Sequence, residues 1–319
     1  MTSERQERRV PPRRRPKVLN RVGLGLLIAG VLVLIFLATR PTLPQQARAI
    51  SAGGDYTCTI RQADGTVTCA GGTNAPTAVP AALGAARAVS AGGSHACAIR
   101  QTDRAVMCWG TDNVGQSSVP ADLGAASAVS AGTESSCAIR QADGTVICWG
   151  YNGMGQTSVP PELGAASAVS VSEHACAIRR ANARLVCWGS NQHGEALSPT
   201  DLGAVTAVSV GGSHTCAIRR ADAMVVCWGY NDAGEVSPPP SLGAVSAITA
   251  GADHTCAIRQ LGGGVVCWGD NNEIVGGGYA GQATPPTDLG AVSALSAGYE
   301  HTCAILQADA SVVCWGRIN

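Results

Sequence analysis

The chain has 319 residues, with 22 Lys and Arg balanced by 22 Asp and Glu, and it carries 14 cysteines. The balance is uneven along its length: residues 1–40 hold nine of the basic residues against only Glu4 and Glu7, leaving 13 basic and 20 acidic side chains beyond them. A body of that sign repels a phosphate backbone, whose affinity for proteins rests on Lys and Arg displacing counterions, so nucleic acid is excluded as the expected partner.

In chain order, a basic segment over residues 1–21 comes first. Between Arg21 and Arg40 lie 18 uncharged and mostly apolar residues. A helix of them is about 27 Å long, near the thickness of a bilayer core. Arg8, Arg9, Arg13, Arg14, Arg15, Lys17 and Arg21 stand on its amino side. By the positive-inside rule this predicts a single-pass signal anchor over 22–39 in the plasma membrane, with a cytoplasmic N-terminus and residues 40–319 extracytoplasmic. The alternative is a cleaved secretory signal, for which Ala47-Arg48-Ala49 offers an A-x-A site, and a secreted product. Either route ends in an oxidising compartment, where disulfides persist.

From about Ile50 to Trp315 the sequence repeats. Seven times two cysteines stand 11 positions apart: Cys58 and Cys69, Cys97 and Cys108, Cys137 and Cys148, Cys176 and Cys187, Cys216 and Cys227, Cys256 and Cys267, Cys303 and Cys314. The period is 39 or 40 residues until a last step of 47. Self-similarity at such a period is the signature of a repeat architecture. In the repeat over 126–164, ASAVSAG reads as a first strand, SSCAIR as a second, GTVICWG as a third, and YNGMGQTSVPPELGA as a long loop. Gln141-Ala142-Asp143-Gly144 is a polar turn with glycine where positive φ is needed, which makes the second and third strands a β-hairpin.

That turn length sets Cys137 opposite Cys148. Cross-strand neighbours have Cβ atoms about 4.5–5.5 Å apart, close enough for a disulfide. Each bridge is therefore expected to staple one hairpin, and the chain-entropy estimate for so short a loop is about 3 kcal/mol per bridge at most. Such help matters in a body poor in large apolar side chains: the single Phe, Phe36, lies in the apolar N-terminal segment. A zinc reading of the cysteines needs four ligands per site, whereas each repeat offers two thiols. Six repeats follow the second cysteine with Trp (Trp109, Trp149, Trp188, Trp228, Trp268 and Trp315), and Ala70 stands there in the first. An indole at one fixed place per repeat is expected as a packing wedge between blades. His95, His174, His214, His254 and His301 each precede a first cysteine by two positions, with Tyr56 and Ser135 in the other repeats. Equivalent atoms on neighbouring sheets lie about 10 Å apart, too far to share a metal ion, so these are expected as hydrogen-bonded structural histidines.

The consensus that emerges, AVSAGxxHxCAIRxxDGxVxCWGxNxxGQxxVPxxLGA, resembles the repeat of the regulator of chromosome condensation family over residues 42–319. Trp149-Gly150-Tyr151-Asn152 and Gly155-Gln156 are among the residues that carry the match. The resemblance implies an all-β, seven-bladed β-propeller, here preceded by one N-terminal transmembrane helix. In repeat style it is most similar to secreted bacterial members of the β-lactamase-inhibitory type, which implies three-stranded blades. The paired cysteines depart from that pattern and look more like extracellular members such as the crinkly-type plant receptor ectodomains. After Trp315 no GQ-VP segment follows, and Thr42-Leu43-Pro44, which resembles the Ser-Val-Pro of the loops, is expected to pack on blade seven and help close the ring.

A propeller brings all second-to-third-strand hairpins to one end and the loops after the first and third strands to the other. The hairpin end would carry Arg61, Arg100, Arg140, Arg179, Arg180, Arg219, Arg220 and Arg259, offset by Asp64, Asp143, Asp222 and Asp309. The opposite end would gather Asp55, Glu134, Glu173, Asp253 and Glu300, with Asp112, Glu195, Asp232, Glu235, Asp270 and Glu273 from the longer loops. An electrostatically biased face can steer a partner. One loop, Asp270 to Gln282, is seven residues longer than its equivalents. Insertions on one face often mark a binding face, so Asn271, Glu273, Ile274, Val275 and Tyr279 form the candidate contact loop. Its triple glycine is no phosphate loop, since no Lys follows.

Nothing points to catalysis: GxSxG, HExxH and an unpaired cysteine are all missing, and His193, near Glu195, has no nucleophile beside it. The expectation is a non-catalytic, membrane-anchored extracytoplasmic interaction scaffold, monomeric, without cofactor or metal, whose partner is a protein or a cell-envelope ligand. A secreted inhibitor-like binder, or a propeller lyase or hydrolase, are the alternatives.

Overall fold

The computed structural model describes residues 46–72, 75–271 and 281–317. The basic segment 1–21, the apolar segment 22–39 and Thr42-Leu43-Pro44 lie outside them. Among the described residues no helix is long and apolar enough to cross a membrane.

Seven antiparallel sheets follow one another along the chain, each made of three consecutive strands in the order of the sequence. Blade 3 is typical, with an inner strand Ala126–Ala131, a middle strand Ser135–Arg140 and an outer strand Val146–Gly150. The blades occupy residues 47–71, 86–110, 126–150, 166–189, 205–229, 245–269 and 292–316, with three strands rather than four in each, as the short repeat implies. Cys137 faces Cys148 directly across the hairpin, and the same register recurs in every blade. All seven expected disulfides are formed, with Cα atoms 4.0–4.1 Å apart, and none of the described cysteines is free.

The middle strand is buried for five of its six residues in each blade, because it lies between two strands of its own sheet and between two neighbouring sheets. Ala98, Ala138, Ala177, Ala217, Ala257 and Ala304 are wholly buried there. Small side chains at these positions let adjacent sheets approach closely, which explains how the fold does without phenylalanine. Where more volume is needed, the tryptophans supply it: Trp188 of blade 4 packs against Ile139, Val146 and Leu163 of blade 3 and its linker. Each indole also donates to a carbonyl of the linker that arrives from the preceding blade, at 2.8–3.0 Å. Blade 1 follows no repeat linker in the sequence, and Ala70 stands at the tryptophan position.

The seams hold further polar contacts that repeat around the axis. Ser51, Ser90, Ser130, Ser170, Ser209, Thr249 and Ser296 sit at one level of the inner strands. Each hydroxyl accepts the backbone N–H of a residue one blade on, at 2.9–3.1 Å, and the last of these bonds, Ala52 N–H to Ser296, joins blade 1 to blade 7. Together with Ala47 N–H to Ala310 O and Tyr299 N–H to Gly53 O, it closes the ring.

The histidines form a second circle. His95, His174, His214, His254 and His301 place Nε2 at 2.6–2.9 Å from Ser136, Thr215, Thr255, Thr302 and Thr57, each on the next blade. Four of those hydroxyls also donate to a linker carbonyl, at Gln116, Glu195, Glu235 and Gln282. A hydroxyl has one proton to give, so in these four seams the imidazole is the donor, protonated at Nε2. The opposite nitrogen, Nδ1, has no partner in His95, His174 and His254. Burial holds these imidazoles well below their ordinary pKa, at about 4 for His95, His174, His214 and His301 and about 3 for His254. Two seams use another pairing. Tyr56 replaces the histidine and donates to the carbonyl of His95, opposite Ala96; Ser135 replaces it and donates to Ser172 O, opposite Ala175. The hydroxyl is missing from the next blade wherever the histidine is missing.

Candidate interaction face

The two ends of the ring differ as the sequence anticipates, and the structure changes the weight of each. At the hairpin end Arg61, Arg100, Arg140 and Arg219 are each bound to the aspartate three residues on, Asp64, Asp103, Asp143 and Asp222. The same aspartates accept a backbone N–H across the turn, from Thr66, Ala105, Thr145 and Met224. These bonds hold the carboxyls of Asp64 and Asp103 down at about 2, the backbone N–H of Thr66 leading in the first and Arg100 in the second. In four of the seven turns the basic charge is therefore matched within the turn itself.

The opposite end is acidic and has little internal compensation. Asp55, Glu134, Glu173, Asp253 and Glu300 lie on the loops that follow the inner strands, and Asp112, Asp232 and Asp270 follow the outer strands. Arg317, paired with Glu300 at 3.0 Å, is the one arginine among the described residues at this end. Crowding shows in the titration of the group: burial raises Asp253 above the usual carboxylate range, and Asp270 and Glu300 add to it. A cation brought to this face relieves like-charge repulsion already present in the free protein.

Two of the carboxylates assigned to this face from sequence are not on the surface. Glu195 and Glu235 are buried to 1% exposure inside the linkers, where Gln116 and Gln156 stand in other repeats. Gln116 and Gln156 accept the N–H of the residue two before, Val114 and Met154, and so fasten the linker turn. Glu235 makes the same bond to Ala233 N–H, and Glu195 gathers Ser190 Oγ and the N–H groups of Gln192 and His193. Burial drives Glu195 up, but the hydroxyl of Ser190 and the N–H groups of Glu195 itself and His193 outweigh that and hold it below the usual range; for Glu235 burial prevails, with Asp253 and Asp232 adding to it. The His193 ring stacks edge-on against Tyr230, centroids 4.8 Å apart, with no nucleophile supplied. Among the described residues no group of three or more His, Cys, Asp or Glu is placed to hold a metal.

The candidate contact loop is only partly within the described residues. Asn271 closes its base: its side-chain oxygen accepts Ala283 N–H at 2.9 Å and its amide donates to Thr284 at 2.8 Å. Asn152 and Asn231 hold their linkers in the same way. Glu273, Ile274, Val275 and Tyr279 lie outside the described residues.

Apolar side chains that sequence reading passed over stand at the acidic end. Val114, Tyr151, Met154 and Leu197 are exposed on the linkers of blades 2, 3 and 4, and Tyr299 is 39% exposed beside the axis. An alignment of repeats would have revealed Tyr299, since Gly54, Gly93, Thr133, Gly212 and Ala252 occupy its position in other blades. A depression of about 150 Å³ runs along the axis from this end, lined by small residues of the inner strands and by Tyr299.

Three-stranded blades arranged sevenfold, clasped by disulfides within and hydroxyl contacts between, define a seven-bladed β-propeller of the binding-module kind. The profile of the Regulator of chromosome condensation (RCC1) repeat matches residues 86–116, 126–156, 205–235 and 245–273, so four of the seven blades carry RCC1 repeats. No curated protein matches the chain significantly in sequence. Among solved structures, the entire ectodomain of the Physcomitrella patens receptor kinase CR4 superposes with a TM-score of 0.71 at 24% identity, covering 85% of this chain and 74% of that one. The CRINKLY WD40 ectodomain of the Arabidopsis thaliana receptor kinase ACR4 gives 0.66 at 26% identity, covering 85% and 96%. Prp20p of Saccharomyces cerevisiae, described with its binding to Gsp1p and histones, gives 0.63 at 16% identity, covering 84% and 81%.

Proposed function

We propose that this chain is a non-catalytic protein-interaction scaffold held outside the cytoplasm by a membrane anchor over residues 22–39, and that it meets its partner with the acidic end of the propeller. The observation that carries the reading is the difference between the ends: at the hairpin end Arg61, Arg100, Arg140 and Arg219 are matched within their own turns, whereas the other end gathers acidic side chains, Glu134 and Asp232 among them exposed, beside a single arginine among the described residues and several exposed apolar side chains. Acidic charge around apolar anchors suits a partner surface of basic and apolar residues. Seven disulfides favour an oxidising compartment, and two of the similar solved structures are receptor-kinase ectodomains.

An anchor is favoured over cleavage at Ala47-Arg48-Ala49. Ala47 is buried, begins the inner strand of blade 1 and donates its N–H to Ala310 O, and Arg48 reaches Gln101 in blade 2. Cutting after Ala49 would remove half of a strand that closes the ring. The test is crosslinking on intact cells followed by mass spectrometry, comparing the wild type with a variant lacking the Asp270 to Gln282 insertion and one with Glu134→Gln, Glu173→Gln and Asp253→Asn. Loss of one crosslinked protein in either variant is the expected outcome. Capture that is unchanged in both, or lost only when hairpin-end residues are altered, refutes the assignment of the face.

A further inference from the structure

Tyr299 is the one bulky side chain at the axial mouth among the described residues. Its hydroxyl extends from blade 7 over blade 1 and blade 2: it lies 3.0 Å from where a Cβ on Gly93 would stand, and it meets the Thr133 side chain of blade 3. The side chain thus reaches across the mouth and remains 39% exposed. On its inner side is the axial depression, whose lining of small residues includes no charged side chain but several serine and threonine hydroxyls. Tyr299 also borders a second depression of about 340 Å³, whose charged lining is Asp55, Glu300 and Arg317, the last two paired with each other so that Asp55 is left as the net charge there. Glu134 and Glu173 directly follow Thr133 and Ser172 of the lining; burial raises the pKa of the phenol, and the charges of Glu173 and Glu134 add to it.

We infer that this mouth receives a lysine or arginine side chain carried by a basic segment of a partner protein, the cation lying against the face of Tyr299 with Glu134, Glu173 and Asp55 supplying countercharge. An aromatic face attracts a cation through its quadrupole, and more so where water is thinned by neighbouring walls. Carboxylates alone would hold a small hydrated ion loosely; a large planar ring among them favours an organic cation, whose stem can use the apolar surface of the phenol. A side chain borne by a protein fits better than a free amine, because Val114, Tyr151, Met154 and Leu197 on the same end offer apolar surface that a small amine would leave unused. The inference rests on the proposed role as an interaction scaffold and names the chemistry of the contact.

The full chain, kept in a non-ionic detergent, is titrated with a fluorescent arginine-rich peptide, with spermine and a glutamate-rich peptide as comparisons. Binding of the arginine-rich peptide is expected to weaken with salt and to fall about tenfold in Tyr299→Ala, but less than about threefold in Tyr299→Phe, which keeps the ring. Glu134→Gln with Glu173→Gln should weaken it severalfold and flatten the salt dependence. Melting curves establish that the variants are folded, and Tyr299→Leu replaces Tyr299→Ala if the latter is not. Equal affinity for wild type and the ring-less variant overturns the inference, and spermine binding as tightly as the peptide reassigns the mouth to free polyamines. On cells, a partner captured at wild-type yield by Tyr299→Ala keeps the scaffold and removes this site from it. Peptide binding with no captured protein does the reverse.

Discussion

Replacing Thr215 by alanine tests the interblade clasp. Thr215 Oγ1 lies 2.6 Å from His174 Nε2 and donates to Glu195 O at 2.9 Å, and both side chains are wholly buried. The substitution strands the Nε2–H of His174, which costs about 1–3 kcal/mol for a buried unpaired donor. It also leaves a small void, adding about 1 kcal/mol. The carbonyl of Glu195 keeps the indole N–H of Trp228 and so is not orphaned. The expected loss is therefore about 2–4 kcal/mol. His174→Ser with Thr215→Ala recreates the pairing already found between blades 3 and 4, where Ser135 stands opposite Ala175. In that background Thr215→Ala no longer strands an imidazole, and its cost should drop to about 1 kcal/mol. The double-mutant cycle, measured by urea unfolding with tryptophan fluorescence and intact disulfides, should return a coupling of about 1–3 kcal/mol. Additive effects within about 0.5 kcal/mol would show that the histidine and hydroxyl do not act together and refute the clasp.

Acid should loosen the ring in a defined window. The native histidines stay neutral to about pH 4, whereas in the unfolded chain they take up protons below about pH 6.5. The unfolded state thus binds more protons between those values, and stability falls as pH is lowered through them, by up to about 3 kcal/mol for each imidazole. A melting temperature that is flat from pH 6.5 to 4 contradicts the burial of neutral imidazoles. The two buried linker carboxylates should respond oppositely to amide substitution: Glu235→Gln removes a poorly compensated charge while keeping the bond to Ala233 and should stabilise at neutral pH by about 1 kcal/mol, whereas Glu195→Gln gives up charge-assisted bonds and should cost about 1–2 kcal/mol. Calorimetry at neutral pH distinguishes them, and a common sign defeats the reasoning. Removing one bridge as Cys216→Ala with Cys227→Ala should lower stability by at most about 3 kcal/mol without unfolding the ring, as judged by the retained near-ultraviolet signal of the tryptophans. Complete loss of fold would mean that the staples are individually indispensable.

Most of the blade was legible because its determinants are local. Cysteines 11 residues apart around a four-residue turn fix a hairpin register without reference to the rest of the chain, and the opposed pairs Cys58 with Cys69 through Cys303 with Cys314 follow from it. The histidines were legible as structural, but not their partners, since His174 meets Thr215 across 41 residues. The pattern was present in the sequence as paired exceptions, Tyr56 with Ala96 and Ser135 with Ala175, and it acquires meaning only when each blade is known to pack against the next. Counting charges also misjudged the ends. Glu195 and Glu235 read as surface acids because glutamate usually is one, yet the linker turn folds both inward.

By itself the sequence determined the repeat count, the hairpin of each blade and the expected pairing of every cysteine, because hydrogen-bond register and loop closure act over a dozen residues; that each sheet stops at three strands came from the structure. Tertiary structure alone decided which side chains share a seam, which carboxylates are buried, and that the side chain of Tyr299 reaches across the axial mouth. Those outcomes depend on closing seven sheets into a circle, which brings into contact residues that no local rule relates.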